Sequence, residues 1–340
     1  MYSFKYDYSE GCCPQVLDLL NKTNFEQEEG YGEDFFSLEA KELIKRQIGA
    51  PEAEVYFISG GTQANLVVIN SILKPYEAVI CADTGHIYVN ETGAVEATGH
   101  KIVAAENTEG KISAEQIQEI VSSYDHFPHV VKPKLVYISH STELGTIYTK
   151  QELTDIYDCC RKNNLFLFID GARLGSALAS KDSDLTFMDL PDLCDVFYIG
   201  GTKNGALLGE AIVICNKSLQ PDFDFHLKQR GALLAKGRIL GIQFLALFTD
   251  DLFLKNARHA NLCAEKIAEA AKEKNFEFLA KPQTNQLFII LPYKRIQELQ
   301  KNFDFYIWKK IDDEKASVRI ITCWATPMNA VEKFIEELKK

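Results

Sequence analysis

Residues 165–175 read LFLFIDGARLG. An unbroken apolar run enters a carboxylate at Asp170 and then a glycine at Gly171. A short, continuous apolar run suits a strand covered on both faces, the pattern of a parallel sheet. The same texture recurs on either side. It predicts strands at Val55–Ser59, Ala78–Cys81, Lys101–Ala104, Leu135–Ser139, Leu165–Ile169, Val196–Ile199 and Ala211–Ile214. Helical stretches separate several of them. One is 151–163, with Leu153, Ile156, Tyr157 and Cys160 on one face. Strand–helix alternation predicts an α/β fold: a mainly parallel seven-stranded sheet with helices on both faces.

After about Gly241 the pattern changes. A long amphipathic helix (256–274) is expected, then strands at 276–279, 286–291, 305–308 and 317–322, and a terminal helix over 328–339. That reads as a small C-terminal α+β domain. The expected organisation is an N-terminal segment (1–30), a large α/β domain (31–240) and the small domain (241–340), a division that suits 340 residues.

The formal net charge is −11. An acidic surface repels phosphodiester backbones, so nucleic acid is not an expected partner. Nine cysteines are scattered, and the adjacent pairs Cys12-Cys13 and Cys159-Cys160 lack zinc-ligand spacing. They read as reduced, small hydrophobes, and no metal is expected. The opening MYSFKYDYSEG has no signal-peptide character, and no run approaches a membrane span. The expected location is cytoplasmic, with no membrane partner.

Open parallel sheets bind ligands at the carboxyl ends of their strands. Three endings stand out. In FISGGTQANL, Gly60 and Gly61 leave the strand and Thr62 opens a helix, whose free N–H groups suit a phosphate; a plain tight turn is the competing reading. Asp170 is costly to bury unless it meets a cation, such as a protonated pyridine nitrogen, or caps the next helix. Arg173, three residues on, suits a carboxylate. In VFYIGGTKNGALLGEA, Lys203 follows another apolar strand; a partly desolvated lysine attacks aldehydes, whereas an ordinary loop lysine is solvated. Asp170 and Lys203 are about one helix–strand unit apart. Anion cradle, pyridinium acceptor and imine-forming amine fit one cofactor.

In this order GGTQANL, IDGARL and GGTKNG resemble fold-type-I enzymes that use pyridoxal 5'-phosphate (PLP). Within them the chain is similar to the threonine aldolase, or β-eliminating lyase, family. YGED with Tyr31, GHIYVNETGA with His86 and SVRIITCWAT with Arg319 carry the same resemblance. It implies a lyase that cleaves L-threonine, L-allo-threonine or related β-hydroxy-α-amino acids to glycine and an aldehyde. A β-eliminating lyase, an aminotransferase and a non-catalytic binding protein are the alternatives.

The resemblance also implies roles. Lys203 carries PLP as a Schiff base, Asp170 holds the pyridine nitrogen, and Gly60, Gly61 and Thr62 hold the phosphate. His86 stacks on the ring near the substrate hydroxyl. Arg173 and Arg319 bind the substrate carboxylate. Tyr31 approaches the substrate across a subunit interface, in a homodimer or homotetramer with shared sites. A carboxylate-binding serine of the family corresponds to Ser9, or Asp7 takes its place. A family histidine is replaced in the string Thr142-Glu143-Leu144-Gly145, so its role as base is lost or passes to Glu143.

Overall fold

The computed structural model describes residues 1–340. Strand β1 (Tyr2–Ser3) opens the chain. Seven strands then form one sheet: β2 (Glu54–Ile58), β3 (Glu77–Ala82), β4 (Lys101–Ala105), β5 (Lys132–Ser139), β6 (Phe166–Asp170), β7 (Val196–Gly200) and β8 (Glu210–Ile214). Their order is β2-β8-β7-β6-β5-β3-β4. Neighbours from β7 to β4 pair in parallel, while β8 is antiparallel to both β7 and β2. Each of the seven apolar runs is a strand of this sheet, which is the mainly parallel architecture expected.

Alternation along the strands builds two cores. Val136, Ile138, Leu167, Ile169, Phe197 and Ile199 face one side, against Ile44, Leu153, Ile156 and Phe244 of the helices Phe35–Ile48, Lys150–Lys162 and Arg238–Phe248. Leu135, Tyr137, Phe168, Val196 and Tyr198 face the other, against Ala64, Val67, Phe223 and Leu227 of the helices Gly61–Ile72 and Phe223–Gln229. By the same period Asp170 shares the face of Phe168, Tyr137 and Tyr198.

The C-terminal sheet consists of β9 (Gln286–Pro292), β11 (Tyr306–Lys310) and β12 (Lys315–Ile321), antiparallel in the order β11-β12-β9. Between them β10 (Phe303–Asp304) pairs with β1. Ala316, Val318 and Ile320 enter a third core with the helices Leu252–Glu273 and Met328–Lys339. The intervening Arg319 and Ile321 therefore face the opposite way, toward the large sheet. The strand expected at 276–279 is a single bridge, Phe278 to Ile289. The long helix starts at Leu252 rather than 256, because Phe253 and Ala257 both seat in the structure's interior.

The first residues stitch the two sheets together. Phe4 packs against Phe303 and Phe334 in the small core, whereas Val16 lies in the large one. Asp7, between them, is buried.

Candidate active site

A cavity of about 790 Å³ opens at the carboxyl ends of β6 and β7, under the C-terminal sheet. Its lining includes Gly60, Gly61, Thr62, His86, Asp170, Arg173, Lys203 and Arg319. Of the twelve candidate residues named in the sequence, these eight and Glu143 meet in one place. Ser9 is exposed and does not line the cavity. Neither does Tyr31, which is 48 % exposed and has the Lys228 ammonium 4.6 Å from its ring centroid.

Asp170 is only 3 % exposed, yet well satisfied. Tyr198 Oη donates to Oδ1 at 2.5 Å and Tyr137 Oη to Oδ2 at 2.6 Å. The backbone N–H of Ala172 (2.9 Å) and Asn65 Nδ2 (3.1 Å) complete the set. Burial pushes the carboxyl up, but the His86 side chain and these donors outweigh burial and hold it below the usual carboxylate range. The close approach behind it requires glycine: a Cβ on Gly171 would stand 1.8 Å from the Tyr198 carbonyl oxygen.

Lys203 sits in the turn between β7 and β8. Gly205 supplies that turn with φ +105°, and Asn256 Nδ2 donates to the Asn204 carbonyl at 2.9 Å. Burial lowers the affinity of the amine for its proton, and Arg173 lowers it further, against Asp7, Asp170 and Glu210. The amine is thus shifted toward its nucleophilic form.

At the end of β2, the helix Gly61–Ile72 begins with no side-chain cap. Its first N–H groups are therefore open to an anion. A Cβ built on Gly60 meets nothing within 4 Å; it would only fill this cradle.

His86 is fixed by two carboxylates. Its backbone N–H donates to Glu143 Oε1 at 2.9 Å, which also accepts from Ser139 Oγ at 2.6 Å. Its Nδ1 lies 2.9 Å from Glu91 Oε1, and Asn65 Nδ2 donates to the same oxygen at 2.8 Å. An ionised carboxylate only accepts, so Nδ1–H is the donor to Glu91, and Nε2 has no hydrogen-bond partner within the chain. Asn65 thereby ties the His86–Glu91 pair to Asp170. Burial pushes the Glu143 carboxyl up.

The two arginines differ. Both were expected to bind a substrate carboxylate, but Arg173 already has one from the chain itself. Arg173 Nε donates to Asp7 Oδ2 at 2.6 Å and a terminal nitrogen to Oδ1 at 3.0 Å, a bidentate pair. Asn285 Nδ2 adds a third bond to Asp7 at 3.0 Å. Burial raises the Asp7 carboxyl, but Arg173, Lys203 and these bonds prevail and lower it. Arg319 has no carboxylate partner. Its guanidinium lies 5.3 and 4.9 Å from the ring centroids of Tyr306 and Trp308, and its buried Nε is unbonded. Arg319 is therefore the guanidinium free for an anion, and the N-terminal segment contributes Asp7 rather than Ser9.

Several site residues escaped the sequence reading. Tyr137 and Tyr198 look like core aromatics of their strands. Glu91 stands inside GHIYVNETGA, and Glu210 opens the apolar strand EAIVI, so a carboxylate at a strand end, the signal used for Asp170, also marked Glu210.

The beta-eliminating lyase family model matches residues 9–293. The chain belongs to the beta-eliminating lyase family. It is 31 % identical over 340 residues to a low specificity L-threonine aldolase of Pseudomonas aeruginosa, covering 99 % of this chain and 96 % of that one. A low specificity L-threonine aldolase of Escherichia coli is 26 % identical over 265 residues, covering 76 % and 75 %. Among solved structures, a threonine aldolase of Leishmania major superposes with a TM-score of 0.98 at 45 % identity, covering 100 % of this chain and 99 % of that one. An aspartate aminotransferase of Thermus thermophilus (TM-score 0.74, 14 % identity, covering 100 % and 91 %) shares the fold. Beta-eliminating lyases of this fold depend on PLP. The cavity fits that cofactor: an uncapped helix start for a phosphate, an amine held toward its neutral form for an aldehyde, and a buried, ionised carboxylate for a ring nitrogen.

Proposed function

We propose that the chain cleaves threonine, allo-threonine and related β-hydroxy-α-amino acids to glycine and an aldehyde. One observation carries the reading: Lys203, Asp170, His86 and an unpaired Arg319 line a single cavity. The near-full-length identity to L-threonine aldolases supports it.

Lys203 would hold the cofactor, Asp170 its ring nitrogen, and Gly60, Gly61 and Thr62 its phosphate. When bound, PLP supplies an electron sink for the bond broken at the substrate α-carbon. Arg319 binds the substrate carboxylate and so sets which α-carbon bond is presented. Arg173 stands beside it, its charge already taken up by Asp7. His86 Nε2 takes the proton of the β-hydroxyl, because Glu91 holds Nδ1 protonated. Glu143 anchors the His86 backbone and stays beside the same pocket. Asp170, held in place by Tyr137, Tyr198 and Asn65, would face the ring nitrogen and favour its protonated form.

The reading also includes a cytoplasmic homo-oligomer, a dimer or tetramer. All nine cysteines are free, which suits a reducing compartment. No helix is long and apolar enough to cross a membrane. Tyr31, Phe35 and Leu38 are exposed apolar side chains near the start of the first long helix that a second copy would have to cover for the shared-site reading.

Incubation of the PLP-loaded protein with both threonine diastereomers is expected to yield acetaldehyde and glycine in equal amounts. Pyruvate and ammonia from a β-substituted amino acid, without aldehyde, would replace this reading by β-elimination; an absolute keto-acid requirement would replace it by transamination.

Arg319→Ala is expected to raise KM for amino acids by about tenfold to a hundredfold, the worth of one charge-assisted hydrogen-bonded contact. PLP affinity should hardly change. Steady-state kinetics and a cofactor titration check both, and loss of PLP with an unchanged KM would remove Arg319 from the substrate side.

A further inference from the structure

Glu210 is a buried carboxylate with no ascribed role. It is 5 % exposed and lines the cavity at the start of β8. Oε2 accepts the Gly201 N–H at 2.9 Å and Oε1 accepts the Thr202 hydroxyl at 3.0 Å. These are the two residues immediately before Lys203. The turn does not need that charge for its own bonds. The Gly209 carbonyl already accepts from the N–H groups of Gly201 (3.0 Å) and Thr202 (3.1 Å). Burying a carboxylate without an ion-pair partner costs stability, so a neutral acceptor would have served the turn better. Lys203, the next residue of that turn, lines the same cavity and is the cation on which a negative charge at Glu210 acts.

We propose that Glu210 is a proton-holding positioning residue for Lys203: its carboxylate takes the proton that the Lys203 ammonium gives up before the amine attacks an aldehyde, and returns it when the amine is released. The exchange is balanced. An N–H bond of the ammonium breaks, an O–H bond forms on the carboxyl, and the pocket's net charge is unchanged; cavity water carries the proton. The proposal rests on Lys203 being the amine that carries the cofactor.

The surroundings suit this exchange. Facing Lys203 are Arg173 from the turn after β6, Asp7 from the N-terminal segment, Asp170 from β6 and Glu210 from β8. Asp7 is committed to Arg173 and Asp170 to four donors, and both are held ionised. Of these three carboxylates only Glu210 is pushed up, to about 7: burial raises it, Asp170 adds to that, and Lys203 with the bonds from Thr202 and Gly201 opposes. It is the carboxylate whose proton affinity matches an amine lowered by burial, and such a pair titrates as one unit.

The test measures the pH dependence of acetic anhydride labelling of Lys203 in the apoenzyme, by peptide mass mapping. Glu210→Gln is expected to lower the labelling midpoint by about one unit. Glu210→Asp restores the charge and should restore the midpoint. A midpoint unmoved in Glu210→Gln overturns the proposal and leaves Glu210 a structural anchor. Should that variant fail to fold, the wild-type apoenzyme decides. A carboxylic-acid stretch in its infrared spectrum must persist to near neutral pH and strengthen when Lys203 is acylated; a spectrum indifferent to acylation overturns the proposal. Borohydride trapping of PLP on a different lysine would fail the functional reading instead, and would leave the labelling result standing.

Discussion

Lys203→Ala is expected to abolish turnover, by roughly a thousandfold or more, while the protein still folds. The activity loss follows from chemistry: no other side chain in the cavity combines an amine with proximity to Asp170. Retention of the fold follows from packing. The Lys203 side chain makes no hydrogen bond or ion pair that the turn depends on, whereas Asn204, Gly205 and Asn256 hold the turn's shape. Arg173 keeps Asp7, so the deletion leaves that buried charge paired. Circular dichroism and Tm check the fold, and aldehyde release checks the activity. Full activity in this variant would contradict the mechanism at its root.

Asp170→Asn is expected to lower kcat by about a hundredfold to a thousandfold with little change in Tm. Asparagine has the same shape and can exchange hydrogen bonds with the two tyrosine hydroxyls, but it carries no negative charge to keep a ring nitrogen protonated. Asp170→Ala tests the other half of the argument. It strands Tyr137 Oη and Tyr198 Oη in the core, each costing roughly 1–3 kcal/mol. Alanine should therefore lose stability as well as activity, and asparagine activity alone. Equal losses of Tm in the two variants would show that Asp170 acts through packing rather than charge.

The large sheet was legible because its strands are apolar on both sides and end in punctuation. Asp170 and Lys203 stood out because each interrupts an apolar run with a charge, and their spacing placed them on adjacent strands. The small sheet was legible in outline; 276–279 was not a strand because Phe278 meets its neighbour at only one bridge. What the residues alone did not reveal are the long-range hydrogen bonds. Nothing local to Tyr137 or Tyr198 predicts a hydroxyl on Asp170; that depends on strand order and on which face each side chain takes. Asp7 was ambiguous with Ser9 because the N-terminal segment has no periodicity to set its register, and only its passage between the two cores delivers Asp7 to Arg173. His86 was found through its motif, but Glu91, five residues on, takes its meaning from the turn that folds it back onto the imidazole.

The Asp7–Arg173 pair changes the division of labour among the cations. A single guanidinium, Arg319, is left to receive a carboxylate, and the aromatic rings of Tyr306 and Trp308 hold it in place. In the proposed mechanism, amino-acid specificity would reside on the C-terminal sheet and bond-breaking chemistry on the large one.

An amine at Lys203 and a carboxylate at Asp170 are expected to grip one aromatic aldehyde between them. Borohydride reduction of the PLP-loaded protein, followed by peptide mass mapping, tests this most directly. The added cofactor mass is expected on the peptide containing Lys203 and nowhere else. Its recovery on another lysine, or no covalent addition at all, would contradict it.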